Sequence, residues 1–551
     1  MIAAADFAVQ RASMAMTCGI ACRSYTIGIP SFIPQVGKSW GVMILNLFSS
    51  RPDHPLGDPK ELKRVIAELP LDNSFRAVDE VYGWYESLMV ANDFRVDHLF
   101  DVVRQLDDAA QPFIRRLSRD YLHSPRLSKN EERRLSGMCY NYWGEVSILY
   151  ARCAERARQN PKDKGSEALR NSLPLLATRL MAARATQLKW VEYRYGPIGE
   201  DLWRGLGLQY LAAEEDGFAT KPVQLYPSMS GTTNVTQQYL QALIVHSSSM
   251  DSLLPMEIEL ADRLIAHFLP GFVFTVTCQP DSVYWVDAAV GTPPVRLARN
   301  PGQMSASLRF FSPGTAPNAL NELIRSVERG GVPAGLNLGG EYPAKVLLPV
   351  LRHLATYWAH EPPQREFQRH AVKTRISVLQ GFDDCFTVLA GDVARLGKER
   401  AAESWVVENV SLNGFGAGID AQSGDWVKIG ALLCMQPEGG ENWVLGVVRR
   451  YNKESDSRAS VGIKALSKRA KSIELWPRTS GFSATGAIPG IWLREGEVKG
   501  ETRLVLPSLT FDLRESLEFI NEGQRYLLTP IDLEESGNNY EIGRYRESVL
   551  E

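Results

Sequence analysis

The sequence predicts a multidomain α+β protein: an N-terminal α-helical array, a mixed α/β middle, a C-terminal antiparallel β-barrel and a small second β unit. Three observations lead there. Apolar residues recur at helical spacing from about 59 to 215. From 216 to 360, helix-like and strand-like runs alternate. After Pro363 the helical pattern is largely lost, and short strand-like runs separated by turns take over, in the spacing of a small barrel. A chain of 551 residues has room for about three or four domains. The expected boundaries are an irregular segment at 1–58, a helical domain at 59–215, a mixed region ending in a linker helix at 216–360, a barrel at 361–476 and a β unit at 477–551.

Each element has a local reason. Residues 23–58 are rich in Gly, Pro and Ser and read as extended or irregular. Leu62, Val65, Ile66 and Leu69 fall at i, i+3, i+4 and i+7, and Leu99, Val102, Val103 and Leu106 repeat the spacing. A long helix is expected from an N-cap at Asn130 through Tyr140, Trp143 and Leu149 to the breaker Asn160-Pro161. Another spans about 166–192, with a kink at Pro174. No fixed repeat period marks the array. In the middle region Val235 to Val245, Glu257 to Phe268 and Asn318 to Arg329 read as helices. Phe272 to Cys278 and Val283 to Asp287 read as strands. Residues 344–359 form an amphipathic helix that Pro362-Pro363 stops. The strands expected after it are Thr374 to Leu379, Trp405 to Val410, Gly416 to Asp420, Trp426 to Met435, Trp443 to Arg450 and Ser460 to Leu466. The tail repeats the strand-rich character around Gly490, Thr502 and Arg525.

Composition excludes several roles. Hydrophobic content of 44% and charged content of 23% are ordinary for a globular chain. A net charge of −3 argues against coating a nucleic acid polymer, so any anion site has to be a local basic cluster. The seven cysteines are scattered. Cys18 and Cys22 are the one close pair, with no second pair or histidine to complete a zinc site, so no metal is expected. A reduced, cytoplasmic chain is the expectation. Asp6, Gln10 and Arg11 interrupt the mildly apolar start, so a cleaved signal is not expected. No run approaches the length of a membrane span.

Two short polar motifs carry the chemistry. The first is Arg365-x-x-x-Arg369, directly after Pro362-Pro363. Between 361 and 378 there are four cations (Arg365, Arg369, Lys373, Arg375) and two anions (Glu361, Glu366), a basic patch in an acidic chain. Guanidinium groups are planar forks that suit phosphate oxygens and the O6/N7 edge of guanine. The second motif is Asn409-x-Ser411-x-x-Gly414. Asn409 and Ser411 are two apart, so on a strand they share a face. They offer an amide and a hydroxyl, and Gly414 allows close approach of backbone or ligand. Together they describe a pocket for a small molecule with two phosphates and flat bases.

Residues 361–470 resemble a PilZ domain, the bacterial receptor module for cyclic di-GMP. Arg365 and Arg369 match the family's first motif; Asn409, Ser411 and Gly414 match its second, with Asn where Asp is more frequent. Trp426 to Gly430, Gly446 to Arg450 and Val461 to Leu466 resemble its later strands. The resemblance implies a PilZ-like barrel whose arginines hold phosphate and guanine while the second motif contacts the other face. It also implies that the ligand orders the arginine arm and reorients a neighbouring domain. The gap from Arg369 to Asn409 is longer than usual for the family, through an insertion around Asp383 to Glu403 expected as a loop or hairpin over the barrel. Residues 1–360 show no family resemblance.

The resulting expectation is a non-enzymatic cytoplasmic receptor with cyclic di-GMP as ligand, no cofactor, no catalytic residues, and a protein partner met through the N-terminal helical block. The alternative is an interaction scaffold or adaptor whose PilZ-like barrel no longer binds. An enzyme in 216–350 lacks paired carboxylates or a nucleophile–base set. Gly414, Gly416 and Gly418 do not open a helix and so are no dinucleotide-fold loop. Further expectations are bland. His353, His360 and Glu361 belong to a helix surface, His246 sits at a helix end, and Tyr140, Tyr142 and Trp143 pack a core. Asp107-Asp108 and Glu214-Glu215-Asp216 are solvated charge at helix ends.

Overall fold

The computed structural model describes residues 52–124, 127–298, 301–303, 305–333, 336–340, 342–361, 367–392, 402–421, 426–478, 486–494, 498 and 500–550. Cys18, Cys22 and Arg365 lie outside them. Among the described residues the chain is multidomain α+β, with eleven α-helices followed by two closed six-stranded antiparallel barrels and with one further small sheet.

The helices are α1 (Pro59–Ala67), α2 (Ser74–Val90), α3 (Val96–His123), α4 (Lys129–Gln159), α5 (Lys164–Leu169), α6 (Leu173–Tyr193), α7 (Glu200–Glu215), α8 (Val235–Ser247), α9 (Pro255–Phe268), α10 (Ala316–Glu328) and α11 (Ala344–Trp358). Polar caps set several starts. Asp58 accepts from the Lys60 amide at 2.9 Å and Asn73 from the Arg76 amide at 3.1 Å, each satisfying a donor the first turn leaves orphaned. The cap of α4 is Ser128, not Asn130. Its hydroxyl accepts from the Glu131 amide while the Glu131 carboxylate accepts from the Ser128 amide, a reciprocal pair that outcompetes a cap two residues on. Pro174 does not kink a helix either. It opens α6 in the first turn, where its missing N–H removes no hydrogen bond.

One charged pair departs sharply from expectation. Asp107 and Asp108 sit in the middle of the 28-residue α3, and Asp107 is 0% exposed. Tyr142 and Tyr150 donate to its two oxygens at 2.8 and 2.7 Å, and Gln111 donates at 2.9 Å. The buried Arg179 guanidinium lies 3.5 Å from Asp107 and 2.6 Å from Asp108. Glu214 is likewise no free surface charge but the partner of the buried Arg309. Buried charges survive only with such complements. Tyr142 and Trp143 do pack the core, as expected.

Strands β1 (Val273–Thr275), β2 (Tyr284–Asp287), β3 (Val295–Arg296) and β4 (Leu308–Ser312) form a sheet in the order β1-β4-β2-β3. The first barrel comprises β5 (His370–Gln380), β6 (Glu403–Ser411), β7 (Gly414–Asp420), β8 (Leu432–Pro437), β9 (Val444–Lys453) and β10 (Arg458–Ser467). The strand expected from Trp426 starts only at Leu432. A turn precedes it, with Gly430 at φ +80°. The second β unit is larger than expected. Strands β11 (Lys471–Pro477), β12 (Ile488–Leu493), β13 (Glu501–Pro507), β14 (Leu517–Asn521), β15 (Gln524–Ser536) and β16 (Tyr540–Leu550) close a barrel of their own. Both barrels have one connectivity: numbered within each, the ring runs first, second, third, sixth, fifth, fourth.

The described part of the insertion after β5 is neither loop nor hairpin. It is a helix, α12 (Gly381–Leu389), whose Phe382, Cys385 and Val388 share one core with Cys434 and Leu445 of the first barrel and Ile491, Val505 and Ile542 of the second. Phe382, Cys385 and Val388, at i, i+3 and i+6, give α12 a single apolar face, and both barrels cover it.

Candidate functional site

Where β7 pairs with β10, the outer face of the first barrel carries glycines. Ala417, Val461 and Ile463 point into the barrel core, so the alternating Gly416 and Gly462 face outward. The register pairs Asn409 with Gly416, Gly416 with Gly462, and Gly462 with Arg450. Directly paired residues share a face. One row therefore crosses four strands: Asn409 on β6, two glycines, and Arg450 on β9. The neighbouring row runs Ser411, Gly414, Lys464. A β-bulge between Val407 and Asn409 brings Asn409 and Ser411 to this outer side after Trp405 and Val407 have faced inward.

The glycines are sterically required. A Cβ on Gly416 would fall within 2.5 Å of the Asn409 amide, and one on Gly414 within 2.4 Å of the Ile463 carbonyl oxygen. Gly414 thus serves the packing of β7 on β10 as well as the openness of the face. The Ser411 hydroxyl is 3.4 Å from the Gly414 carbonyl oxygen, a weak bond at most. The Asn409 Oδ1 is buried and meets no donor among the described residues. Leaving such an acceptor unpaired costs about 1–3 kcal/mol.

Against this face lies a cleft of about 1100 Å³. Arg369, Ser411, Gly414, Gly462, Lys464 and Arg450 form its barrel wall. Lys345, Pro349 and His353, at i, i+4 and i+8 on α11, form the opposite wall with Ser252 and Glu257. The end of β15 and the turn after it, residues 533–538, form the third. Three of the four expected residues the structure describes, Arg369, Ser411 and Gly414, therefore line one cleft. Asn409 stands beside Ser411 on the same face.

The electrostatics are basic with local compensation. Arg449 pairs with Glu535 through two hydrogen bonds, one of 2.9 Å, and Tyr540 donates to the same carboxylate at 2.7 Å. Burial alone would raise the Glu535 carboxyl, but these bonds hold it below its ordinary value. Glu257 receives the Leu254 amide at 2.8 Å, and burial pushes its carboxyl up. Arg369, Lys345, Arg450 and Lys464 against Glu534 leave the remaining lining with an excess of cations. His353 is not a surface residue. Its Nε2 is 2.6 Å from the Ser248 carbonyl oxygen, and burial lowers its pKa.

Arg450, Lys464 and Lys345 belong to neither motif. Arg449-Arg450 is visible in the sequence as two adjacent cations within a strand, but only the register shows which of them shares the row with Asn409. Lys345 reaches the cleft through the packing of α11. Among the described residues no cluster of His, Cys, Asp or Glu is arranged to hold a metal, and no helix is long and apolar enough to cross a membrane.

Residues 60–280 match the family model for the cyclic-di-GMP receptor FimW, N-terminal domain. The match spans roughly two-fifths of the chain, from α1 through α9 and β1, and includes neither barrel. No curated protein matches the chain.

Proposed function

We propose that this chain is a receptor for cyclic di-GMP, that a PilZ-like first barrel binds the dinucleotide on its glycine face, and that binding is relayed to the helical block and through it to a protein partner. One observation carries the reading. Two parts of the chain that share no residue point to the same ligand: the helical segment 60–280, similar to the N-terminal domain of a cyclic-di-GMP receptor, and the Arg365/Arg369 and Asn409/Ser411/Gly414 motifs, which resemble a PilZ site.

The cleft suits that chemistry. Its volume of about 1100 Å³ is at the upper end of small-molecule sites. Its glycine floor accepts flat rings, and its cations suit two phosphates. Arg369 and, from the segment before it, Arg365 supply forks for phosphate and guanine, each charged hydrogen bond contributing about 1.5–3 kcal/mol. Asn409 and Ser411 supply an amide and a hydroxyl for a base edge. Because α11 lines the same cleft, a ligand seated there touches the barrel and the helical block together, as a relay requires.

Calorimetric titration of cyclic di-GMP tests the site. Wild type is expected to bind, and Arg369→Ala and Ser411→Ala to bind at least about tenfold more weakly, the equivalent of one charged hydrogen bond. Equal binding by all three removes the site. No binding by wild type, with a partner still co-purifying through residues 59–215, leaves the adaptor reading instead.

A further inference from the structure

We infer that Arg450 is a ligand-contacting residue outside both motifs, and that the ligand takes it from the helical block. The inference rests on the cyclic di-GMP reading of this cleft. Arg450 ends the outward row that begins at Asn409, with only Gly416 and Gly462 between them. Four strands span about 14 Å at the usual spacing. The Asn409 side chain covers Gly416, and Gly462 is the part of the row that lines the cleft, so a flat ligand lying over Gly462 sits between Asn409 on one side and the Arg450 guanidinium on the other. A Cβ on Gly462 would come within 3.1 Å of the Arg450 side chain, so the glycine leaves this arginine room to lie along the floor.

Arg450 is at present committed elsewhere. Its Nη2 donates to the Tyr357 hydroxyl at 2.7 Å, and its Nη1 lies 3.9 Å from the Asp251 carboxylate. Both partners belong to the helical block. Tyr357 is in the last turn of α11, and Asp251 is in the short turn before α9. These ties are single: one hydrogen bond to one neutral hydroxyl, and one part-exposed ion pair at the edge of salt-bridge range. A phosphate or a guanine O6/N7 edge offers the same fork a bidentate acceptor. The ligand therefore outcompetes the block, and each molecule bound removes one connection between α11 and the barrel. By linkage, weakening that connection must in turn raise ligand affinity.

The test uses the full chain and cyclic di-GMP. Arg450→Ala is expected to weaken binding about tenfold or more, and Arg450→Lys, which keeps the charge but loses the fork, to weaken it less. Tyr357→Phe leaves every floor residue in place and removes a competitor, so it is expected to bind about two- to tenfold more tightly. Hydrogen exchange across residues 344–358 is expected to quicken on ligand addition in wild type but not in Arg450→Ala. Arg450 is half exposed on the barrel surface, and far-UV circular dichroism identifies any variant that has lost its fold. If Arg450→Ala and Arg450→Lys bind like wild type while Arg369→Ala does not, Arg450 is no part of the site. If Tyr357→Phe binds no more tightly than wild type, the competition is wrong. If wild type does not bind, the receptor reading fails and this inference fails with it.

Discussion

His353 shows how one side chain at the cleft responds to its surroundings. Its imidazole is largely buried beside Tyr357, with ring centroids 4.8 Å apart, and burial disfavours the charged form although the Ser248 carbonyl and Asp251 favour it. The folded-state pKa therefore lies below the ordinary 6.5. In the window below 6.5 the unfolded chain binds the proton first, so stability is present above that value and is lost as pH falls through it. His353→Gln, which removes the titrating ring, is expected to flatten the fall in urea midpoint between about pH 7 and 5. An unchanged slope would assign the acid sensitivity to other groups. At this scale the sequence was an incomplete guide. Arg369, Asn409, Ser411 and Gly414 were legible because a spaced pair of polar motifs is a local pattern. Asp107 was not, because a carboxylate reads as solvated until Tyr142, Tyr150 and Arg179, each dozens of residues away, are folded around it.

Among the elements, α12 has the least expected role. A stretch that reads as a loop or hairpin over the barrel becomes a helix whose apolar face is covered by both barrels. Truncating Phe382 to Ala is expected to cost about 3–5 kcal/mol, the range for large aromatics deleted from a core. The loss is expected in the strands of both barrels alike, because the contacts are shared; thermal melting followed by hydrogen exchange in β8 and β12 would show it. Loss confined to β8 would make α12 an appendage of the first barrel. Most other elements were recoverable from the sequence because periodicity is local. Helices and strands fell close to their expected positions, and errors clustered at boundaries, where a capping box at Ser128 or a turn before Leu432 decided the start. The closure of the tail into a complete barrel was not recoverable, since ring closure depends on pairing between strands far apart in sequence.

At the scale of the whole molecule, several contacts among the described residues fasten the helical block to the first barrel. Arg450 is one, and Leu254 packs against the barrel core. Tyr195 is another: at φ +53° its ring packs on the barrel core, edge-on to Tyr451 with centroids 5.6 Å apart, and its carbonyl accepts from the Lys453 amide at 2.7 Å. If Arg450 is the releasable tie, the contacts of Tyr195 and Leu254 are ones that remain. Tyr195→Ala is expected to cost about 1–3 kcal/mol and to resolve calorimetric melting into separate transitions for block and barrel. A single transition at the wild-type temperature would mean that other contacts hold the two together.

Local chemistry alone specified much of this protein: the helical block, the strand-rich half, and a pair of polar motifs suited to phosphates and purine edges. Tertiary structure alone decided that Asn409, Gly416, Gly462 and Arg450 stand in one row, that α11 walls the same cleft, and that Asp107 is an interior residue. The physical reason is that periodicity is a property of neighbours along the chain. Register across strands is set by bulges, at Val407/Asn409 and Gly462/Ile463, and by barrel closure, and neither leaves a mark on any one segment.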